Sequence, residues 1–150
     1  MSFHLATQSL RGRLIAPYQH DGVRWMLNRE TADDPKGGFL CDEMGLGKTV
    51  QVISTILGNP GHTTLIIVPK TIVNQWKKEI ERFAPSLTVH AFDGPRRILV
   101  PSNVVIAPYS VLVPKGQAPG TRTPLHDQAW GRIVLDEVSR GVEHSSAMSP

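Results

Sequence analysis

The stretch Gly38-Phe-Leu-Cys-Asp-Glu-Met-Gly-Leu-Gly-Lys-Thr-Val-Gln51 decides the fold of this chain. Its apolar residues 39–41 predict a short buried strand, and a turn containing Gly45 and Gly47 follows. The Lys-Thr pair then opens an amphipathic segment, residues 50–57, which predicts a helix. Strand, glycine-rich turn, Lys-Thr and helix together form the layout of a phosphate-binding loop.

This layout suits an anion for three physical reasons. Glycines let backbone N–H groups turn inward and approach a phosphate closely. The positive end of the new helix points at the same place. Lys48 adds a mobile positive charge for the outer phosphates, and the hydroxyl of Thr49 can ligate the magnesium ion that accompanies ATP.

The stretch departs from the strict phosphate-loop pattern at one position. That pattern has a glycine five residues before Gly47, and Asp42 stands there instead. Taken alone, the fourteen residues therefore leave a second interpretation open. In it, the glycines cap an ordinary helix and Lys48 is solvated.

Length and composition indicate one globular domain. The chain has 150 residues, of which 40% are hydrophobic and 19% charged. A net charge of +3 with a pI near 9.3 permits a polyanionic partner without requiring one. The single cysteine, Cys41, excludes an internal disulfide and a cysteine-based zinc site, and its apolar neighbours predict a buried thiol.

The sequence predicts an intracellular protein without a membrane partner. No apolar run approaches the roughly 20 residues that a membrane-spanning helix needs. Residues 1–9 lack the basic start and apolar core of a secretion signal.

Strand and helix patterns alternate along the chain. Helices are predicted over 17–30 and 50–57, and a third carries apolar residues on one face and is capped by Thr71. Strands are predicted over residues 65–68, 87–92, 104–108 and 132–135. The alternation predicts an α/β fold with a mostly parallel sheet and helices on both faces. The run Leu65 to Val68 is apolar throughout, which is typical of a strand buried on both sides.

Two acids follow the last predicted strand. The apolar residues 133–135 are expected to be buried and to deliver Asp136 and Glu137 to the edge of the sheet. In phosphate-loop ATPases the first acid at this place holds magnesium, and the second can orient the attacking water. Because ligands bind beyond the carboxyl ends of parallel strands, residues 42–48, 69–71 and 136–137 are expected to line one edge together.

Three regions complete the predicted organisation. Residues 1–13 carry little pattern and form an N-terminal extension, and residues 14–138 form the lobe itself. Within the lobe, residues 114–128 are rich in Pro and Gly and predict a loop. The polar, serine-rich tail 139–150 shows no clear element.

The chain resembles the first, RecA-like lobe of SWI/SNF-type ATPases, within the DEAD/DEAH-like helicase superfamily. Five segments match in order over about residues 14–138. They are Pro17-Tyr18-Gln19 with Gly22 to Met26, Asp42 to Gln51, Ile67 to Lys70 with Gln75-Trp76, Val104 to Tyr109 and Trp130 to Glu137. The Asp42 variant of the phosphate loop is itself typical of this family.

The resemblance implies a role for each matched residue. Gln19 would read the adenine edge, Asp136 would position magnesium, Glu137 would polarise water, and Lys48 would act on the outer phosphates. Lys70 and Thr71 would contact the backbone of double-stranded DNA without reading its sequence. The residues implied to hold ATP and Mg²⁺ around the loop are Asp42, Glu43, Met44, Gly45, Leu46, Gly47, Lys48 and Thr49.

The resemblance is incomplete at three places. Val138-Ser139 replaces the Ala-His that normally links the ATP state to the second lobe. Ala107-Pro108 replaces a pair of threonines, which weakens an expected DNA contact. The family also needs a second lobe that brings arginines to the γ-phosphate, and no such lobe is expected within these 150 residues.

Three hypotheses follow. The first is a DNA-dependent ATPase lobe of a translocase in chromatin remodelling or DNA repair, nuclear by resemblance and completed by a second lobe or a full-length relative in trans. The second is a truncated, inactive module that binds ATP or DNA. The third is a different phosphate-loop NTPase, which the absence of an Asn-Lys-x-Asp guanine signal disfavours.

Overall fold

The computed structural model describes residues 2–12, 14, 17–33, 36–40, 47–94, 98–112 and 122–136. They divide into two compact units, Met1–Gly61 with Glu79–Ser86 and His62–Lys78 with Leu87–Pro150. Each unit has its own packing and is treated by itself.

Three helices make up most of the first unit: α1 (Phe3–Ser9), α2 (Pro17–Thr31) and α3 (Lys48–Gly58). The predicted helices at 17–30 and 50–57 are thus confirmed, and α1 is an element that the weak pattern of residues 1–13 did not predict. Pro17 occupies the first position of α2, where its missing N–H costs nothing.

Gly58 lets α1, α2 and α3 approach one another. A methyl group at Gly58 would lie 2.8 Å from the Cβ of Ala6 and 3.1 Å from a methyl carbon of Leu27. The backbone N–H of Ser2 donates to the Gly58 carbonyl at 3.3 Å, and Asn59 donates to the Glu30 carboxylate at 2.6 Å. The end of α3 is therefore fixed by contacts to both neighbouring helices.

The predicted strand before the phosphate loop is wrong in its described part. Residues 36–40 form neither helix nor strand, and the Phe39 side chain is 85% exposed. Gly37, at φ 95°, and Gly38, whose backbone lies against the Trp25 ring, interrupt the extended chain. Two apolar residues after two glycines are too few to hold a strand in place. Cys41, and with it the predicted buried thiol, lies outside the described residues.

The second unit is built on a parallel four-stranded sheet. Its strands are β1 (Thr64–Val68), β2 (Val89–Ala91), β3 (Val104–Pro108) and β4 (Arg132–Leu135), in the order β2-β3-β1-β4. Every residue of β1 and β3 is buried, which confirms the predicted burial of the run Leu65 to Val68. The predicted α/β fold with a parallel sheet is confirmed as well.

One face of the sheet carries a compact apolar cluster, covered by two short helices, α5 (Tyr109–Leu112) and α6 (Pro124–Asp127). The members of the cluster are Leu65, Ile67, Phe92, Val105, Ala107, Val111 and Leu125. Helix α6 corrects the prediction of a loop over 114–128. Thr123 and His126 form a capping box around its first turn, which stabilises a helix despite the flanking Pro and Gly residues.

The remaining helix, α4 (Val73–Phe83), follows a 3₁₀ turn at Lys70–Ile72. The predicted cap at Thr71 is wrong, because Thr71 lies inside this turn, which begins after Pro69 without a side-chain cap. The turn is closed by the Ile72 N–H, which donates to the Pro69 carbonyl at 3.1 Å.

Strand β4 departs from its predicted burial. Ile133 and Leu135 are 57% and 51% exposed, although the sequence analysis expected them to be buried. β4 pairs with β1 through residues Arg132 to Leu135, and within the described residues it forms one edge of the sheet. The two exposed residues are two positions apart and therefore project from the same face of the strand, which is open to solvent.

Candidate functional site

In the first unit, α3 begins with a geometry suited to an anion. Gly47 is its N-cap, at φ 78° and ψ 36°, and makes no side-chain cap hydrogen bond because it has no side chain. This left-handed conformation favours glycine. The first turn of α3 holds no acidic residue. Its N–H groups and positive helix end thus meet no carboxylate of that turn, which suits a bound phosphate.

Lys48 and Thr49 occupy the first two positions of α3. Both residues are half-buried, so each side chain retains some access to solvent. A cation and a hydroxyl at the start of a helix are the groups that a phosphate and its magnesium ion require.

Gln19 of α2 lies beside this helix start. Its side chain is 6% exposed. Its amide carbon would lie 3.4 Å from a methyl group added at Gly47, and its amide nitrogen would collide with that group. The structure thus brings together Gln19 and Gly47, which the sequence analysis selected for the adenine and the phosphates.

A second close approach holds α2 against α3. A methyl group on Gly22 would overlap the side-chain oxygen of Gln51, which is fully buried. Only glycine fits at position 22 without displacing Gln51. This contact fixes the register of the helix that carries Gln19 against the helix that begins with Lys48.

Six predicted site residues lie outside the described residues. They are Asp42, Glu43, Met44, Gly45 and Leu46 of the loop, and Glu137. Their predicted roles remain predictions.

In the second unit, the candidate residues follow two neighbouring parallel strands. Asp136 comes directly after β4, and its backbone N–H donates to the Ile67 carbonyl of β1 at 3.0 Å. Lys70 and Thr71 follow β1 in the exposed 3₁₀ turn. The predicted placement of these residues at one edge of the sheet is confirmed for this pair of strands.

Sequence analysis missed two partners of Asp136. The indole N–H of Trp76 donates to the Asp136 carboxylate at 3.0 Å, and the Tyr109 hydroxyl donates to its main-chain carbonyl at 2.9 Å. The Trp76 side chain is buried in the core. A buried indole N–H group needs a hydrogen-bond acceptor, so Trp76 was the residue from which a nearby acceptor could have been predicted.

The described site residues form two groups. Gln19, Gly47, Lys48 and Thr49 belong to the first unit, and Lys70, Thr71 and Asp136 to the second. Chemically, the first group suits a nucleoside triphosphate. The second offers a carboxylate of the kind that divalent cations prefer, together with an exposed cation and hydroxyl that suit a phosphate backbone.

Comparison with known proteins places these features in a wider group. The model of the SNF2-related domain matches residues 18–149. The chain is 33% identical to the ISWI chromatin-remodeling complex ATPase ISW1 of Saccharomyces cerevisiae, over 90% of this chain and 13% of that protein. It is 35% identical to the putative ATP-dependent helicase/translocase YwqA of Bacillus subtilis, over 89% of this chain and 15% of the relative.

A solved structure shares the fold. The Sulfolobus solfataricus SWI2/SNF2 ATPase core in complex with dsDNA superposes with a TM-score of 0.72 at 30% sequence identity, over 88% of this chain and 27% of that one. The 150 residues thus span about a quarter or less of the length of these proteins.

Proposed function

The chain belongs to the SNF2-related domain family and has the RecA-like fold of the SWI2/SNF2 ATPase core, and we propose that it acts as the ATP-binding lobe of a DNA-dependent translocase. The observation that carries the proposal is the contact between Gln19 and the Gly47 backbone at the start of α3. A buried amide beside a helix start offers a donor and an acceptor for a base next to a phosphate site.

Within the proposed lobe, residues 14–138, each candidate residue has one role. Gln19 recognises adenine, Lys48 neutralises the outer phosphates and Thr49 contributes its hydroxyl to Mg²⁺. Asp136 would help to hold Mg²⁺, and Glu137 would polarise the attacking water. The magnesium ion supplies charge neutralisation on the phosphates when it is bound. The residues Asp42 to Leu46 complete the loop around the phosphates.

The test is a Mg-ATP binding titration on the purified 150-residue chain. We expect saturable binding that Lys48→Ala abolishes, since the variant removes the charge that faces the outer phosphates. Lys78→Ala is the matched control, because Lys78 is an exposed lysine of α4 and has no proposed role. Wild-type affinity in Lys48→Ala would overturn the assignment of the phosphate loop.

We further propose that the 150 residues expressed alone hydrolyse ATP slowly. The matched part of this chain covers 27% or less of each related protein, and an arginine supplied from outside such a lobe can raise the rate by roughly 10³–10⁵. Addition of a second lobe or a longer relative in trans is expected to raise the rate. No change in rate with a relative that demonstrably binds the chain would contradict this part of the proposal.

Double-stranded DNA is the proposed macromolecular partner, with Lys70 and Thr71 as backbone contacts. Both residues are exposed in the turn after β1, and a cation and a hydroxyl bind phosphate without reading bases.

By family similarity we also propose a nuclear location, which microscopy of a fluorescent fusion tests. None of the helices in the described ranges has the length and apolar character of a membrane span.

A further inference from the structure

Asp136 is held at three points by three different segments. Its backbone N–H donates to the Ile67 carbonyl of β1, and its carbonyl accepts from the Tyr109 hydroxyl at the start of α5. Its carboxylate accepts from the indole N–H of Trp76 in α4. The first two bonds fix the main chain, and the third fixes the side chain.

The Trp76 contact is more than packing. The side chain is 3% exposed, so its apolar surface contributes to the core. A phenylalanine or leucine would fill much of the same space without an N–H group. The indole directs its one donor at the Asp136 oxygen Oδ2 at 3.0 Å, the usual length of an N–H···O hydrogen bond.

We propose that Trp76 is a positioning residue that selects the orientation of the Asp136 carboxylate, the group that we propose to hold Mg²⁺. The inference rests on the proposed function, because Asp136 has this role only if the chain binds Mg-ATP. A carboxylate at the end of a strand can rotate about two side-chain bonds, and the indole N–H selects one orientation. Such outer contacts to a metal-binding group typically change metal affinity by about 10–100-fold.

The test separates magnesium-dependent from magnesium-independent nucleotide binding. ATP affinity is measured for Trp76→Phe across a Mg²⁺ titration and again in excess EDTA. We expect the Mg²⁺ concentration at half-maximal effect to rise about tenfold, with the affinity in EDTA unchanged. The EDTA measurement also shows whether the variant retains its folded nucleotide site.

The matched control is Trp130→Phe. The Trp130 indole also donates a hydrogen bond, to the Leu125 carbonyl at 2.8 Å, and it belongs to the same unit as Trp76. This variant also loses an indole hydrogen bond, but it loses no contact to Asp136. Its Mg²⁺ dependence is expected to match that of the wild type.

A double-mutant cycle distinguishes positioning from packing. In an Asp136→Ala background, Trp76→Phe should have no additional effect on the Mg²⁺ dependence, because the acceptor is already gone. A purely structural role for Trp76 would give additive effects. Additivity would overturn the inference.

A measurement on the native Trp76 covers the case in which Trp76→Phe does not fold. In Trp25→Phe/Trp130→Phe, Trp76 is the remaining tryptophan of the three. Its indole N–H resonance in a ¹⁵N-correlated NMR spectrum should shift when Mg²⁺ is added to the ATP-saturated chain. An unchanged resonance would overturn the inference.

The outcomes also separate the two proposals. A wild-type chain that binds no ATP refutes the proposed function, and the role of Trp76 with it. A wild-type chain that binds Mg-ATP, with Trp76→Phe indistinguishable from Trp130→Phe, refutes the role of Trp76 alone.

Discussion

The side-chain amide of Gln19 lies directly against the backbone of Gly47, so that any side chain at position 47 would displace it. The two residues are far apart in sequence and belong to α2 and α3. Their contact joins the proposed adenine-reading residue to the proposed phosphate site within one unit. Glycine is therefore required at position 47 for two reasons. It adopts the left-handed backbone conformation, and its lack of a side chain leaves space for the Gln19 amide.

The first prediction concerns this double requirement. Gly47→Ala should lower ATP affinity at least tenfold, because the methyl group displaces the Gln19 amide and strains a backbone at φ 78°. Gly61→Ala is the matched control. Gly61 has a similar φ of 91°, and an added methyl group there meets no atom of the described residues within 4 Å.

Both glycine variants should lose about 1–2 kcal/mol of stability from left-handed strain, measured by urea unfolding. Only Gly47→Ala should lose ATP affinity. Equal ATP affinities in the two variants would show that the Gln19–Gly47 contact has no part in nucleotide binding.

The second prediction addresses base recognition by Gln19. Gln19→Glu keeps the length of the side chain but replaces the NH₂ donor with an acceptor. We expect ATP affinity to fall about tenfold, or about 1.4 kcal/mol, with a smaller loss for GTP. Gln8→Glu on the exposed side of α1 serves as the control.

The measurement is competition of ATP and GTP against a fluorescent nucleotide. A preference of the wild-type chain for GTP would revive the third hypothesis, a different phosphate-loop NTPase.

The third prediction concerns DNA. We expect weak binding to double-stranded DNA that is independent of sequence and falls as salt rises. Lys70→Ala should weaken it equally for unrelated sequences and reduce the slope of log affinity against log salt by about 1. Fluorescence anisotropy with two unrelated duplexes measures both quantities, with Lys78→Ala as the control. A strong preference for one duplex would contradict backbone recognition.

The fourth prediction uses the unequal burial of two strands. Ile66 in β1 is fully buried, whereas Ile133 in β4 is 57% exposed. Ile66→Thr should cost at least about 2 kcal/mol, because it removes apolar volume and buries a hydroxyl group. Ile133→Thr should change the free energy of unfolding by less than about 0.5 kcal/mol. Chemical denaturation of both variants tests this, and equal losses would mean that β4 is covered in solution.

Strong local patterns predicted much of the fold. The uninterrupted apolar run that became β1 identified a strand buried on both faces. The predicted helices over 17–30 and 50–57 correspond to α2 and α3. The position of Asp136 at the end of β4 was predictable because an acid after an apolar strand stands out in sequence. These features depend on neighbouring residues, so a sequence displays them directly.

The predictions that failed depended on residues distant in sequence. Phe39 had the composition of a strand but no pairing partner among the described residues. The exposure of Leu135 depends on what covers that face of the sheet, which the neighbouring residues in the sequence do not determine. The acceptor of the Trp76 indole lies 60 positions later in the chain, so the local sequence could not reveal it.

The strand order β2-β3-β1-β4 has a consequence for synthesis on the ribosome. β1 is made first, yet both of its partners, β3 and β4, emerge later. The wait for β4 lasts on the order of seconds at the usual rates of translation. During that time the most apolar strand of the sheet has an open edge that other nascent chains could pair with. A chaperone that shields the Leu65–Val68 segment should therefore raise the yield of folded protein more than one that acts after release.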